Sequence, residues 1–278
     1  MNKEINRFSL HRILMLTGIE ITERRRTLLL QSGMMALVLI VVACIYAFSN
    51  DYSYRSYTGL GDPGTTNMIG TYLVMLFIFG GLSASIMFSD LGNKEGRIRM
   101  LMRPGLAIEK FISRWLIYVM IFIAVFIVSV CVADSVRCLV LKIRFPESHC
   151  IIPVYANITP EIIRNILPFH GHIFKALIFG LGIYLGYQSF FVLGATNWPR
   201  MSFPKTFAVF TGLTFAYIGI IASVAEICSH GMYFSSKPAF LAHNWYLILS
   251  CLIYGAILLN YVLAWQRVGE TEVITTKR

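Results

Sequence analysis

The stretch DLGNKEGRIRMLMRPGLAIEKFISR, residues 90–114, lies between two long apolar runs and decides how the chain is arranged. One run ends near Phe88, and the next begins near Trp115 and continues to about Val132. Six Lys and Arg residues fall within these 25 residues. A segment this basic between two membrane spans is normally retained on the cytoplasmic side. The stretch therefore predicts a cytoplasmic segment joining two transmembrane helices.

The composition of the whole chain agrees with this interpretation. Of the 278 residues, 56% are hydrophobic and only 14% are charged, and the mean hydropathy is +0.67. A soluble domain has about a quarter of its residues charged. Apolar runs of about twenty residues recur, and each is long enough to cross a hydrocarbon core of ~30 Å. We predict an all-α polytopic membrane protein with about six transmembrane helices.

The apolar runs give approximate bounds for these spans. The six predicted spans are Leu28–Phe48, Met68–Phe88, Trp115–Val136, Ile173–Leu193, Thr206–Ile227 and Trp245–Trp265.

The distribution of positive charge predicts the orientation. Segments 1–27, 89–114, 197–205 and 266–278 hold 17 of the 24 Lys and Arg residues. Because basic residues accumulate in cytoplasmic loops, both termini are expected inside. The net charge of +10 then reflects topology and contact with anionic lipid headgroups. Nucleic-acid binding is not indicated, since no basic patch belongs to a known module.

Two segments outside the spans have their own patterns. In residues 8–26, apolar and charged side chains alternate at roughly helical spacing, which favours an amphipathic helix in the cytoplasmic interface over a simple basic anchor. The apolar members are Phe8, Ile13, Leu16, Ile19 and Ile21, and the charged members are Arg7, Arg12, Glu20, Glu23 and Arg24. Residues 139–172 are predicted to form an external loop with a short helix at TPEIIRNIL, capped by Thr159.

Ionisable residues in the spans are candidates for function, because charge is costly in lipid. Asp134 and Arg137 lie near the external end of the third span, three residues apart, and can pair on one helix face. Glu226 lies at the external end of the fifth span. Asp134 and Glu226 are predicted either to line a pathway or gate, or to reach the solvated interface. Cys138 and Cys150 can form a disulfide in an oxidising compartment or remain separate thiols.

Catalytic and cofactor motifs are missing from the sequence. It has no HExxH, no GxSxG, no Cys/His metal spacing and no phosphate loop with its lysine. We therefore expect no catalytic residue, no metal site and no cofactor in this chain, and ATP, if it is used, must be bound by another chain.

Residues 83–116, SASIMFSDLGNKEGRIRMLMRPGLAIEKFISRWL, resemble the region between the second and third spans of ABC-2 type transporter permeases, most closely those of a Bacteroidetes-like subgroup. Two departures are Arg103, where the family pattern has an apolar residue, and Gly105-Leu106, where it has a small pair. The matching positions are Phe88, Leu91, Lys94, Glu95, Gly96, Arg97, Leu101, Met102, Pro104, Glu109, Lys110, Phe111 and Arg114.

The resemblance implies a permease subunit of an ABC exporter in the bacterial cytoplasmic (inner) membrane, with residues 1–278 as one transmembrane domain. It implies two partners, a cytoplasmic ATPase that binds ATP and Mg²⁺ and a second permease chain. Residues 89–114 would contain the coupling helix that docks on the ATPase, with Leu91, Ile98, Leu101 and Met102 as its apolar anchors. The expected coupling residues are Asp90, Lys94, Glu95, Gly96, Arg97, Arg99, Met102, Pro104, Glu109, Lys110 and Arg114.

Two other classes of function are compatible with the same residues. One is a membrane scaffold or sensor that binds a cytosolic partner through its basic loop. The other is a lipid-modifying membrane enzyme, which requires polar residues such as Glu226, Asp134 or His172 to converge at one depth. In both cases the basic loop on its own can be a solvated topology determinant.

Overall fold

A computed structural model describes residues 9–50, 62, 64–146, 151–157, 173–231 and 239–276. Within these ranges, the side chains of residues 101, 173, 221, 224–231, 239–246 and 271–276 are not described. Every regular element in the described ranges is helical. Six of the described helices are long and apolar enough to cross a membrane, which confirms the predicted all-α polytopic membrane protein.

The spans are formed by long helices that extend past the predicted apolar runs. The first two are α1 (Leu10–Ser49) and α2 (Thr65–Ile86). The third is one continuous rod of α4 (Ala107–Trp115), a π-helical segment (Leu116–Ile121) and α5 (Phe122–Arg144). The last three are α6 (Ile173–Asn197), α7 (Ser202–Gly231) and α8 (Ala239–Thr276).

The N-terminal amphipathic segment is helical as predicted, but no break separates it from the first span. At 1.5 Å per residue, the 40 residues of α1 reach about 60 Å, twice the hydrocarbon thickness. Its buried side near the N-terminus is formed by Ile13, Leu16, Thr17 and Glu20, at helical spacing. Glu20, a charged member of the predicted amphipathic pattern, lies on this buried side, and its side chain is 1% exposed.

The predicted external loop 139–172 begins later than expected. Helix α5 continues to Arg144, whose guanidinium donates hydrogen bonds to the carbonyls of Ala47 and Phe48 at the end of α1. A cation there satisfies carbonyls that a helix end leaves without partners. A 3₁₀ turn, Val154–Ala156, is the regular element described within the loop. The short helix predicted at residues 159–167 lies outside the described residues.

The chain divides into two compact units, each considered by itself. The first unit comprises residues 1–83 and 112–177. Its core is an apolar cluster where α1, α2 and α5 meet, and α1 and α5 pack along much of their length. The buried members of this cluster are Met35, Leu39, Ala43, Met68, Tyr72, Phe126, Ala133 and Val154.

The second unit comprises residues 84–111 and 178–278, and contains helix α3 (Lys94–Met102). Its α6 and α7 approach so closely that a Cβ on Gly194 would overlap the side chain of Thr206. The Asn260 amide of α8 donates to the Ser189 hydroxyl of α6 at 3.1 Å. Small residues and interhelical hydrogen bonds of this kind hold apolar helices together within lipid.

Candidate functional site

The predicted coupling segment contains a short helix, and the residues on its two sides contact each other. A 3₁₀ turn, Ser89–Gly92, follows α2, and α3 begins after Asn93. The rings of Phe88 and Phe111 stack with centroids 5.7 Å apart, so the start of the segment is joined to α4. This contact fixes the distance between the residues that precede α3 and those that follow it.

Two glycines allow close packing around the start of α3. A Cβ on Gly96 would lie 2.5 Å from the carbonyl oxygen of Asp90, closer than real Cβ atoms come to backbone. Gly92 lies against the loop between α6 and α7, and its carbonyl accepts a hydrogen bond of 2.9 Å from Nε of Arg200. The segment is therefore fixed by the packing of Gly96 on Asp90 and by the hydrogen bond from Arg200 to Gly92.

Five of the six predicted coupling residues on α3 are exposed, and Gly96 is buried. Lys94, Glu95, Arg97, Arg99 and Met102 face solvent, and the Met102 side chain is 81% exposed. Ile98, one turn before Met102, is 46% exposed. Pro104 is exposed just beyond the helix.

The apolar anchors predicted for α3 divide into two groups. Ile98 and Met102 lie on the exposed side, and Leu91 is buried at 7% exposure. Leu91 therefore supports the segment from inside. The side chain of Leu101 is outside the described part of the structure. The exposed side of α3 consequently combines two apolar side chains with four charged ones.

The loop after α3 explains why Gly105 and Leu106 replace the small pair expected there. Gly105 has φ 146°, a conformation that side chains rarely tolerate. Leu106 then acts as the N-cap of α4, and its N–H donates to the Glu109 carboxylate at 3.1 Å. This is the return half of a capping box, in which a glutamate at the third helical position reaches back to the N-cap.

Three charged residues of the predicted coupling set are also buried. Glu109 is 0% exposed, Lys110 6% and Arg114 2%. Their side chains are thus unavailable for direct contact with another protein in this conformation. Glu109 caps α4, and Arg114 turns towards α1.

A buried ionic network connects α1 to the start of the third span. Oε1 of Glu20 lies 2.9 Å from Nε of Arg24 and 3.6 Å from Nη2 of Arg114. Nη1 of Arg24 donates to the hydroxyl of Tyr118 at 3.1 Å. The i, i+4 spacing of Glu20 and Arg24 is visible in the sequence, whereas their contact with Arg114 is not.

The π-helical segment contains Tyr118, one member of this network. The N–H of Phe122 donates to the carbonyls of Ile117 and Val119, and not to that of Tyr118, which would accept it in an α-helix. The Tyr118 carbonyl accepts a hydrogen bond of 2.8 Å from the hydroxyl of Ser83 on α2. Tyr118 thus bonds to α1 through its ring and to α2 through its backbone.

The ionisable residues near the other end of the third span form a second buried cluster. Nε of Arg137 donates to Asp134 at 2.7 Å, and its Nη1 donates to Asp62 at 3.0 Å. Nη2 of Arg137 reaches the carbonyl of Ile152 at 3.1 Å. The other oxygen of Asp134 accepts the N–H of Val154 at 2.6 Å. The predicted Asp134–Arg137 pair is present, and Asp62 was missed because nothing in its loop indicates a distant partner.

One interpretation of the sequence placed Asp134 at the solvated interface. In the structure Asp134 is not solvated. Its side chain is 0% exposed and attaches residues 152–154 to α5. Glu226 lies in α7, and its side chain is outside the described part. Cys138 is a free thiol at 6% exposure, and Cys150 lies outside the described residues. The residues that can be described contain no group of three His, Cys, Asp or Glu side chains placed to hold a metal ion.

Comparisons with protein-family models, with curated proteins and with solved structures return no match to this chain. The architecture that the residues establish is an all-α, multi-pass membrane protein with a short, exposed, charged helix between its second and third spans.

Proposed function

We propose that this chain is the permease subunit of an ATP-driven exporter and that α3 docks on a separate cytoplasmic ATPase. The observation that carries this proposal is the exposed side of α3, where Ile98 and Met102 lie among Lys94, Arg97 and Arg99. Interfaces commonly bury an apolar or aromatic anchor at their centre, while surrounding charges set orientation and association rate.

A simple topology loop does not need the supports that α3 has. Gly96 packs on Asp90, Arg200 bonds to Gly92, and Phe88 stacks on Phe111. Retention of a loop in the cytoplasm needs only positive charge. The supports favour a surface of fixed shape, which a docking partner can exploit without ordering it first.

The helix after α3 offers a route for movement into the membrane. Helix α4 begins at Ala107, with its cap on Leu106 and Glu109, and continues without a break to Arg144. A displacement of α3 on ATP-driven closure would thus act directly on the third span. Neither ATP nor Mg²⁺ is expected to bind this chain, since both belong to the partner subunit.

Expression of this chain together with its native operon, followed by a search for any co-purifying ATPase, tests the proposal. The complex is purified in detergent, and its vanadate-sensitive ATP hydrolysis is measured. The test variant carries Glu95→Lys with Arg97→Glu, which reverses two exposed charges without changing the net charge. The matched control carries Arg267→Glu with Glu270→Lys, since that pair is also exposed, at 59% and 57%.

The proposal expects the ATPase to be retained by the unchanged chain and by the control, and lost from the α3 variant. Equal retention in the α3 variant and the control would reject docking through α3. A co-purifying cytosolic protein that hydrolyses no ATP would favour the scaffold or sensor alternative. The subunit composition of the complex shows whether the second permease is a copy of this chain or a related chain.

A further inference from the structure

An open groove of about 410 Å³ lies at the end of α5 in the first unit. Its lining comes from α5 and from the 3₁₀ turn region, and includes Ser135, Cys138, Leu139, Lys142, Pro153 and Tyr155. A volume of this size is within the roughly 300–1,000 Å³ typical of sites for small molecules. Neither the docking segment nor the proposed transport function uses this groove.

The wall of the groove is fixed by the buried cluster beneath it. The N–H of Val154 donates to Asp134, and the carbonyl of Ile152 accepts from Arg137. These two bonds hold Pro153 and Tyr155 beside α5. The groove is consequently preformed, which lowers the entropic cost of binding a ligand in it.

The charge that faces the groove is positive. The carboxylates of Asp134 and Asp62 both accept hydrogen bonds from Arg137. Asp134 also accepts one from the N–H of Val154, and Asp62 one from the N–H of Gly64. Lys142 is exposed and contributes an ammonium group to the lining. The Tyr155 side chain is 53% exposed and contributes a hydroxyl donor. An ammonium group and a phenol together match the oxygen atoms of a phosphate diester.

An apolar track leads from the groove along the same side of α5. Val128, Val132, Ser135 and Leu139 follow at helical spacing, and the three apolar members are 63%, 48% and 59% exposed. A soluble anion would gain nothing from this track. An acyl chain would cover it along its length.

Lys142 lies just beyond the headgroup layer, within the reach of its long side chain. It lies six residues past Val136, the predicted end of the apolar run, which is about 9 Å along the helix axis. The headgroup layer is roughly 5–7 Å thick on each side of the hydrocarbon core. A lysine at this level can reach back to the phosphate plane by snorkelling.

We propose that the groove binds a phospholipid, with its phosphate diester on Lys142 and Tyr155 and one acyl chain on the Val128–Leu139 track. Binding is measured by native mass spectrometry of the delipidated full chain titrated with phosphatidylglycerol. Diacylglycerol with the same acyl chains tests the headgroup, and glycerol 3-phosphate tests whether a soluble phosphate suffices.

Phosphatidylglycerol should bind roughly tenfold more tightly than diacylglycerol, the size expected of one charge-assisted hydrogen bond. Lys142→Gln should remove this preference, and Tyr155→Phe should reduce it. Lys205→Gln removes a charge that is also exposed, elsewhere in the chain, and should leave the preference unchanged. Equal binding of the two lipids, an unchanged preference in Lys142→Gln, or displacement by equimolar glycerol 3-phosphate would each overturn the proposal.

Discussion

The guanidinium of Arg114 lies 3.6 Å from the carboxylate of Glu20, and both side chains are at most 2% exposed. This contact joins α1 to the helix that continues from the α3 segment into the third span. Removing one partner of a buried ion pair leaves the other charge uncompensated, which costs more than the pair itself contributes. The contact is therefore the place where substitution should separate α1 from α4.

Glu20→Gln should lower the free energy of unfolding by about 3 kcal/mol or more, because Arg114 remains charged and buried. The measurement is the unfolding temperature of the purified chain in detergent. The double variant Glu20→Gln with Arg114→Gln should recover part of the loss. Glu270→Gln, which removes an exposed partner of Arg267, should change stability by no more than about 0.5 kcal/mol. An equal effect of both carboxylate substitutions would contradict the structural role of Glu20.

Arg137 should not be replaceable by lysine. Its guanidinium reaches Asp134, Asp62 and the carbonyl of Ile152 simultaneously. A lysine ammonium is a compact charge that lacks this planar, multiple-donor geometry. We expect Arg137→Lys to lower the unfolding temperature by several degrees, and Arg137→Met to lower it further, because two buried carboxylates then lose the cation that they share.

A separate variant, Asp134→Asn, distinguishes a structural role of Asp134 from a role as gate. If Asp134 fixes the loop, Asp134→Asn should expose the peptide bonds near Val154 to faster proteolysis in reconstituted vesicles. Its effect on export should follow the loss of folded protein. Unchanged folding and protection together with abolished export would instead favour the gate.

Gly96→Ala should destabilise the α3 segment, although alanine is the better helix former by about 1 kcal/mol. The reason is the 2.5 Å separation that its Cβ would have from the Asp90 carbonyl. Gly269→Ala in α8 is the control, since no atom lies within 4 Å of a Cβ placed there. Hydrogen exchange across residues 89–102 should increase in Gly96→Ala and remain unchanged in Gly269→Ala. Equal exchange in both variants would show that the contact with Asp90 is not needed.

The spans could be predicted from the sequence because lipid demands long apolar runs, whatever the tertiary contacts are. Their ends could not, since they depend on distant partners. Helix α5 continues to Arg144, whose guanidinium caps the end of α1, nearly a hundred residues away in the chain. Hydropathy contains no information about such a contact.

The candidate site shows the same division between local and distant causes. The exposure of Lys94, Arg97 and Met102 follows from local charge and helix spacing, and it was predictable. Glu20 was grouped with the charged side of the amphipathic pattern from its spacing alone. Its burial depends on Arg114, which the sequence places 94 positions away. The resemblance grouped Arg114 with the coupling residues by order in the chain, and that order does not distinguish an exposed side chain from a buried one.

The apolar pair on α3 provides the sharpest test of docking. Ile98 and Met102 are 46% and 81% exposed, so replacing both by serine removes apolar surface without opening a cavity in the chain. We expect Ile98→Ser with Met102→Ser to weaken binding of the ATPase by at least about tenfold, because truncating a central interface anchor commonly costs more than 1 kcal/mol per residue. The unfolding temperature of the isolated permease should remain the same.

Met201→Ser, at another side chain that is 76% exposed, controls for the general loss of surface apolarity. Undiminished ATPase affinity in the α3 double variant would leave the charges alone to explain binding. A fall in unfolding temperature would instead assign the pair to the fold.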